Sequence, residues 1–191
     1  MRYRLLNKEL DNTLNNITDK DCKKYFFNKN NMKKIYWFTG QAGAGKTELA
    51  NALKLHLVRE QSLISTNCPI HKFVIIDGDD IRALYKNTDY SIDGRKKNVD
   101  FVQKLCTFLI KNEIIPIVCM VSPFAEQRRI FVEENNGIEI YVHCNELRGR
   151  ENYHVDYYEK PINHNNLIEI DTTLKSVQES FYNLFSILMK I

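Results

Sequence analysis

The hydrophobic residues of this chain form short continuous runs that alternate with stretches of helical periodicity. Five such runs predict strands that are apolar on both faces, at residues 35–39, 73–76, 114–121, 138–142 and 167–170. Apolar spacings of three and four predict helices that end near Glu60, start near Ile81, cover residues 96–111 and run from Leu174 to Leu188. This alternation predicts an α/β fold of three layers, a mostly parallel sheet with helices on both faces.

Residues 1–33 have a different composition, rich in asparagine and lysine. Their apolar side chains Leu6, Leu10, Leu14 and Ile17 lie at helical spacing, which predicts a short amphipathic helix packed on the main domain. The alternatives are that this segment is disordered or that it contacts a partner. We therefore expect an N-terminal extension over residues 1–33 and one domain over residues 34–191.

The bulk properties exclude several classes of protein. A chain of 191 residues with 43% hydrophobic and 27% charged residues has the size and composition of one soluble domain. Its net charge of +3 is too small to indicate a nucleic-acid partner. The five cysteines form no C-x-x-C pair and are expected to be reduced, and no apolar run reaches the length of a membrane span. We expect a cytoplasmic protein without a membrane partner.

The strongest local motif, G-x-x-x-x-G-K-[ST], directly follows the first predicted strand and precedes a predicted helix. It reads Gly40, Gln41, Ala42, Gly43, Ala44, Gly45, Lys46, Thr47. In this context the backbone N–H groups of the loop cradle a polyphosphate, the lysine reaches the β and γ phosphates, and the threonine hydroxyl ligates Mg²⁺. The motif predicts a P-loop NTPase fold that binds a nucleoside triphosphate, with ATP and Mg²⁺ as cofactors.

Carboxylates follow the second predicted strand, in the run Asp77-Gly78-Asp79-Asp80. Asp77 could hold a water on Mg²⁺ or accept a proton from an attacking hydroxyl, while Asp79 would project into the cleft. An Asp-Gly turn whose carboxylates cap the next helix is the alternative. With the phosphate loop upstream, we expect Lys46, Asp77 and Asp79 to be catalytic, and Thr47 and Asp77 to serve the metal.

Further polar residues at the predicted strand ends suit a second anionic substrate. Arg95 and Asn98 are three residues apart and share one face of a helix, and guanidinium groups bind phosphate or sulfate oxygens bidentately. A solvated helix start is the alternative. Together with Asp79, the residues expected to bind the acceptor are Arg82, Tyr90, Arg95, Asn98, Ser122, Pro123 and Arg128.

Two further motifs follow these, Tyr158-Glu159-x-Pro161 and Asp171-Thr172. With the motifs in this order, the chain from Lys33 to about Thr172 resembles the adenylylsulfate kinases. The resemblance implies transfer of the ATP γ-phosphate to the 3′-hydroxyl of adenosine 5′-phosphosulfate, a role in sulfate assimilation, and a homodimer. It also implies that Arg82, Arg95 and Asn98 contact the acceptor nucleotide and that Tyr90 packs beside its base. Ser122 matches a serine that has been treated as a phosphorylated intermediate in the family. We expect direct transfer, with Ser122 in a binding or positioning role.

The chain departs from the family at three places. Glu48 stands where the family has a second serine or threonine, and Ala125 stands where it has an arginine. The long lid is also missing, so that Arg148 and Arg150 are the only cations left there to grip the donor. Because the lid is short, a kinase of the same fold that acts on another acceptor is an alternative. Such an acceptor would be a cytidine diphosphate derivative (for example a diphosphoramidate) or a hydroxymethylated pyrimidine nucleotide. A nucleotide-dependent binding or regulatory module is a further alternative.

Overall fold

The computed structural model describes residues 33–63 and 72–190. Its strands are β1 (Tyr36–Thr39), β2 (Lys72–Asp77), β3 (Ile114–Cys119), β4 (Ile138–His143) and β5 (Leu167–Asp171). Its α-helices are α1 (Lys46–Leu63), α2 (Gly78–Leu84), α3 (Ile92–Lys111), α4 (Ala125–Glu134) and α5 (Val177–Leu188). A single 3-10 turn at Glu151–Tyr153 interrupts the connection between β4 and β5.

The five strands form one parallel sheet in the order β2-β3-β1-β4-β5. The short strand β1 lies at its centre, paired with β3 from Tyr36 opposite Ile117 and with β4 from Tyr36 opposite Ile138. This position explains its apolar sequence, because a central strand of a parallel sheet is covered on both faces. The predicted parallel α/β architecture is confirmed.

Alternate residues of β1 enter two separate hydrophobic cores. Tyr36 and Phe38 pack with residues of α1 and α5, such as Leu53 and Phe185. On the opposite face, Trp37 packs with residues of α3 and α4, among them Val102 and Phe131 in the same cluster. The two-residue period of a strand thus divides the helices into two layers, one on each side of the sheet.

The starts of three helices differ from the sequence prediction. Helix α2 begins at Gly78, not near Ile81, because Asp77 caps it by accepting a hydrogen bond from the Asp79 N–H. Helix α3 begins at Ile92 because the Ser91 hydroxyl caps it. Leu174 lies before α5, at a positive φ of 53° and 86% exposed, since Ser176 starts that helix with a capping box.

Some expectations fall outside the described residues. The helix predicted from Leu6, Leu10, Leu14 and Ile17 lies outside them. The proposed division into an extension and one domain therefore stays a prediction. Within the described ranges, none of the helices combines the length and the apolar character needed to cross a membrane.

The topology brings four loops to the carboxyl edge of the sheet. The phosphate loop follows β1, Asp77 ends β2, Ser122 follows β3, and the connection to β5 leaves β4 at His143. Parallel sheets place their ligands at this edge, so that residues distant in sequence can line one cleft.

Candidate active site

The phosphate loop has the backbone conformation that its glycines permit. Gly40, Gly43 and Gly45 have φ angles of 139°, 81° and 96°, a region that L-residues rarely adopt. At Gly40 a Cβ atom would lie 2.0 Å from the carbonyl oxygen of Val142. The close packing of the loop on β4 therefore requires glycine at this position.

Lys46 is the first residue of α1 and lies at the base of the loop. Its Nζ donates a hydrogen bond to the main-chain oxygen of Gln41 at 2.8 Å. Burial lowers the pKa of Lys46 to about 8, an effect that the charges of Asp77 and Asp79 partly oppose. A bound polyphosphate would supply further negative charge beside this amine and favour its protonated form.

Thr47 and Asp77 meet at the cleft although thirty positions separate them in the sequence. The Thr47 hydroxyl donates to Oδ2 of Asp77 at 2.9 Å, and Oδ1 of Asp77 accepts from the Asp79 N–H at 2.9 Å. Asp77 is therefore both the helix cap and a residue of the cleft, and its catalytic and metal-binding role stays a prediction. The carboxylate of Asp79 itself makes no hydrogen bond to the described residues.

The oxygen atoms at this point suit a magnesium ion. Mg²⁺ prefers oxygen ligands and commonly takes one or two from the protein while substrate phosphates and water complete its shell. The hydroxyl of Thr47 and the carboxylate of Asp77 provide such a partial set next to the loop. Among the described residues no cluster of three or more histidine, cysteine, aspartate or glutamate side chains could enclose a metal.

Two arginines predicted to bind the acceptor flank one aromatic ring. The guanidinium carbon of Arg82 lies 4.4 Å from the centre of the Tyr90 ring, and that of Arg95 lies 5.3 Å from it. Arg82 also donates to the main-chain oxygen of Asp89 at 2.8 Å, and Arg95 to that of Tyr90 at 3.2 Å. These contacts fix two positive charges and one aromatic surface at the cleft.

Ser122 lies deeper in the cleft, in a strained turn after β3. It has a φ of 44°, its side chain is 2% exposed, and its hydroxyl accepts a hydrogen bond from the Trp37 indole at 3.2 Å. A serine anchored in this way has the geometry of a positioning residue.

Arg128 differs from the sequence-based expectation. Its side chain is fully buried and does not line the cleft, because its Nε pairs with Oε1 of Glu139 at 2.7 Å. Its terminal nitrogens donate to the main-chain oxygens of Ser122 and Glu159. Arg128 therefore supports the turn at Ser122 from behind and leaves acceptor contacts to other residues.

The two cations of the short lid occupy different places. Arg150 lines the cleft and packs on the loop, where a Cβ built at Gly43 would come within 3.2 Å of the Arg150 Cβ. Arg148 instead points behind the loop, bound to the Thr172 main-chain oxygen at 2.8 Å and to Glu146 at 2.7 Å. Of these two arginines, Arg150 is the one placed to face a nucleotide.

A cavity of about 810 Å³ joins these groups. The predicted catalytic and metal residues Lys46, Thr47, Asp77 and Asp79 all line it. The predicted acceptor residues that also line it are Arg82, Tyr90, Arg95, Asn98, Ser122 and Pro123. The donor loop and the second anion-binding set thus share one space.

Sequence reasoning missed several contacts that hold the loop. The Thr172 hydroxyl donates to the Ala44 main-chain oxygen at 2.9 Å. The side-chain amide of Gln41 bonds the backbone of Val155 twice, at 2.9 Å and 3.0 Å, and the His154 ring bonds the Ala42 oxygen at 3.0 Å. These contacts join residues more than 110 positions apart, so no local pattern predicts them. Among the residues involved, the sequence drew attention only to the pair Tyr153-His154 within the short lid.

The chain also matches a family of known proteins. The family model described as adenylylsulphate kinase matches residues 32–168. An adenylyl-sulfate kinase of Bacillus pumilus is 32% identical over 127 residues, which cover 64% of this chain and 60% of that protein. One from Pseudomonas aeruginosa is 35% identical over 109 residues, covering 56% of this chain and 50% of that protein. The chain thus spans 50–60% of the length of these relatives.

A solved structure shares the fold at lower sequence identity. The APS kinase of Mycobacterium tuberculosis in complex with AMPPNP and APS aligns with a TM-score of 0.63, covering 83% of this chain and 98% of that one. The sequence identity of the pair is 21%, so the comparison shows the fold alone.

Proposed function

This chain belongs to the adenylylsulphate kinase family, and we propose that it transfers the γ-phosphate of ATP to the 3′-hydroxyl of adenosine 5′-phosphosulfate. The observation that carries the proposal is the shared cavity. The phosphate loop forms one wall, and the arginine pair around Tyr90 forms another. A donor and an anionic acceptor can therefore meet in one space.

The donor lies along the loop and the start of α1. Backbone N–H groups of the loop and the positive end of the helix bind the β and γ phosphates, and Lys46 adds a charge at their base. Arg150 covers the phosphates from the short lid. Thr47 and Asp77, together with the phosphates, would hold Mg²⁺, which when bound would supply positive charge for phosphoryl transfer. The M. tuberculosis kinase with AMPPNP supports a triphosphate as donor.

The acceptor lies against Arg82, Tyr90, Arg95 and Asn98. Guanidinium groups form short, charge-assisted hydrogen bonds with phosphate and sulfate oxygens, and a phosphosulfate offers several such oxygens. Asn98, buried to 6% exposure, can accept or donate one further bond. The family match and the relatives named adenylyl-sulfate kinase support this choice of acceptor.

Asp79 accepts the proton of the attacking hydroxyl. Both oxygens of Asp77 already have hydrogen-bond partners, whereas Asp79 faces the cleft without one among the described residues. The bond from the acceptor oxygen to the γ-phosphorus forms while the bond from that phosphorus to the β–γ bridging oxygen breaks. ADP leaves, and the hydroxyl proton passes to Asp79.

Direct transfer needs no phosphorylated serine. The Trp37 indole holds the Ser122 hydroxyl in a constrained turn, which supports a binding or positioning role for this residue. We assign it to holding the acceptor edge of the cleft.

A panel of acceptors tests the proposal. Purified full chain with Mg²⁺ and ATP labelled at the γ-phosphate is offered adenosine 5′-phosphosulfate, a cytidine diphosphate derivative and a hydroxymethylated pyrimidine nucleotide. Label on the adenylylsulfate, lost in the Asp79→Asn variant, supports the proposal. Label on a rival acceptor with adenylylsulfate inert refutes the acceptor, and ATP binding without transfer to any hydroxyl supports a binding module.

A further inference from the structure

Four consecutive main-chain carbonyls of the phosphate loop each accept a hydrogen bond from a side chain. Lys46 Nζ donates to the oxygen of Gln41 at 2.8 Å, and Thr172 Oγ1 to that of Ala44 at 2.9 Å. Between them, His154 Nε2 lies 3.0 Å from the oxygen of Ala42, and Arg148 Nη1 lies 3.4 Å from that of Gly43. Two of the four donors therefore belong to the short segment after β4.

These contacts bear on phosphate binding because a peptide unit is planar and trans. Fixing a carbonyl on one side of the chain directs the N–H of the next residue to the other side. The bond from His154 to the Ala42 oxygen therefore sets the direction of the Gly43 N–H, and Gly43 lines the cleft. Free glycine-rich backbone has many orientations, so a side chain that selects one reduces the entropy lost on binding.

Gln41 places His154. Its side-chain Nε2 donates to the Val155 oxygen at 2.9 Å, and its Oε1 accepts from the Val155 N–H at 3.0 Å. Val155 is 4% exposed, so this pair of bonds is anchored in the interior next to His154. The histidine ring itself is exposed, and the fixed backbone beside it keeps the ring on the loop.

We propose that His154 and Gln41 are positioning residues of the donor site, which together hold the phosphate loop in its triphosphate-binding conformation before the nucleotide arrives. The proposal rests on the triphosphate donor proposed above. The atom of Ala42 that His154 contacts is a carbonyl oxygen, which only accepts hydrogen bonds, so His154 must donate from Nε2. His154 lines the cleft as Arg150 does, but it acts on the donor through the backbone of the loop, by holding the Ala42 carbonyl.

The test distinguishes the effect of losing the hydrogen bond from the effect of losing the aromatic ring. His154→Phe keeps an aromatic ring and removes the donor, whereas His154→Gln keeps an amide donor near the Nε2 position. Dissociation constants for a non-hydrolysable ATP analogue with Mg²⁺ are measured by calorimetry for both variants and the unaltered chain. We expect about tenfold weaker binding for His154→Phe, the size of one net hydrogen bond, and a value within about threefold of the unaltered chain for His154→Gln.

Gln41→Leu and the double variant with His154→Phe test the path between the two residues. If Gln41 acts through His154, the double variant binds the analogue about as weakly as Gln41→Leu alone. Equal affinity of His154→Phe and the unaltered chain, equal weakness of the Phe and Gln variants, or effects that multiply in the double variant would each overturn the proposal. A chain that shows the expected affinities yet phosphorylates no acceptor would refute the proposed function and leave this inference intact.

Discussion

Nε of Arg128 lies 2.7 Å from Oε1 of Glu139, and neither side chain is exposed to solvent. The same guanidinium donates to the main-chain oxygens of Ser122 and Glu159, and His164 Nε2 lies 2.9 Å from the second oxygen of Glu139. A buried ion pair is thereby joined to the turn that forms the acceptor edge of the cleft. Arg128 connects the core to the site without entering it.

Removing one member of this pair should destabilise the protein strongly. Arg128→Met leaves Glu139 buried without its cationic partner, and breaking such a pair costs about 3–5 kcal/mol. Arg129→Met on the same helix is the control, because Arg129 pairs with Glu126 and Glu133 at the surface. Denaturant unfolding should show a much larger decrease in the free energy of unfolding for Arg128→Met. Equal decreases in the two variants would contradict the structural role of Arg128.

The affinity for ATP should fall as the pH rises above the pKa of free Lys46, about 8. Burial lowers this pKa, while a bound triphosphate favours the charged amine, so binding takes up a proton once the free amine is neutral. The decrease in affinity should approach about tenfold per pH unit. Lys46→Arg stays charged across this range and should flatten the profile. A flat profile in the unaltered chain, or the same slope in Lys46→Arg, would contradict the assignment.

The Mg²⁺ concentration that the enzyme needs should depend on the presence of a hydroxyl at Thr47. Thr47→Val keeps the shape of the side chain without the oxygen that donates to Asp77, whereas Thr47→Ser keeps it. We expect Thr47→Val to raise the Mg²⁺ concentration for half-maximal activity on the order of tenfold or more, and Thr47→Ser to stay near the unaltered chain. Identical Mg²⁺ titrations of the two variants would remove Thr47 from the metal site.

The ring of Tyr90 should contribute to binding of the acceptor and not to binding of ATP. Tyr90→Leu removes the surface on which Arg82 and Arg95 rest, and Tyr90→Phe preserves it. Because both cation–π interactions disappear with the ring, we expect KM for the acceptor to rise about tenfold in Tyr90→Leu, with KM for ATP unchanged. Tyr90→Phe should stay near the original values. A rise in KM for ATP of the same size would place Tyr90 at the donor.

The sequence predicted those parts of the site that depend on local patterns. The phosphate loop is contiguous, the strands are continuous apolar runs, and Arg95 and Asn98 share a helix face by their spacing. Because parallel strands end at one edge, Asp77 and Ser122 could also be assigned to the cleft before the structure was known.

Contacts between distant segments could not be predicted in the same way. Arg128 belongs to a cluster of charges on a helix, and nothing local shows that its partner is Glu139 within the apolar strand β4. A charged residue at the second position of that strand was the available signal. The pairing of Gln41 with Val155 involves a side-chain amide and a main chain 114 positions away, which no periodicity records.

The most direct measurement is the ³¹P NMR spectrum of the products formed by the full chain with ATP, Mg²⁺ and adenosine 5′-phosphosulfate. Transfer predicts ADP together with a new phosphomonoester resonance, coupled to the ribose 3′ proton, and neither product with the Asp79→Asn variant. ADP accompanied only by inorganic phosphate, with the phosphosulfate unchanged, would contradict the assignment of this chain as an adenylylsulfate kinase.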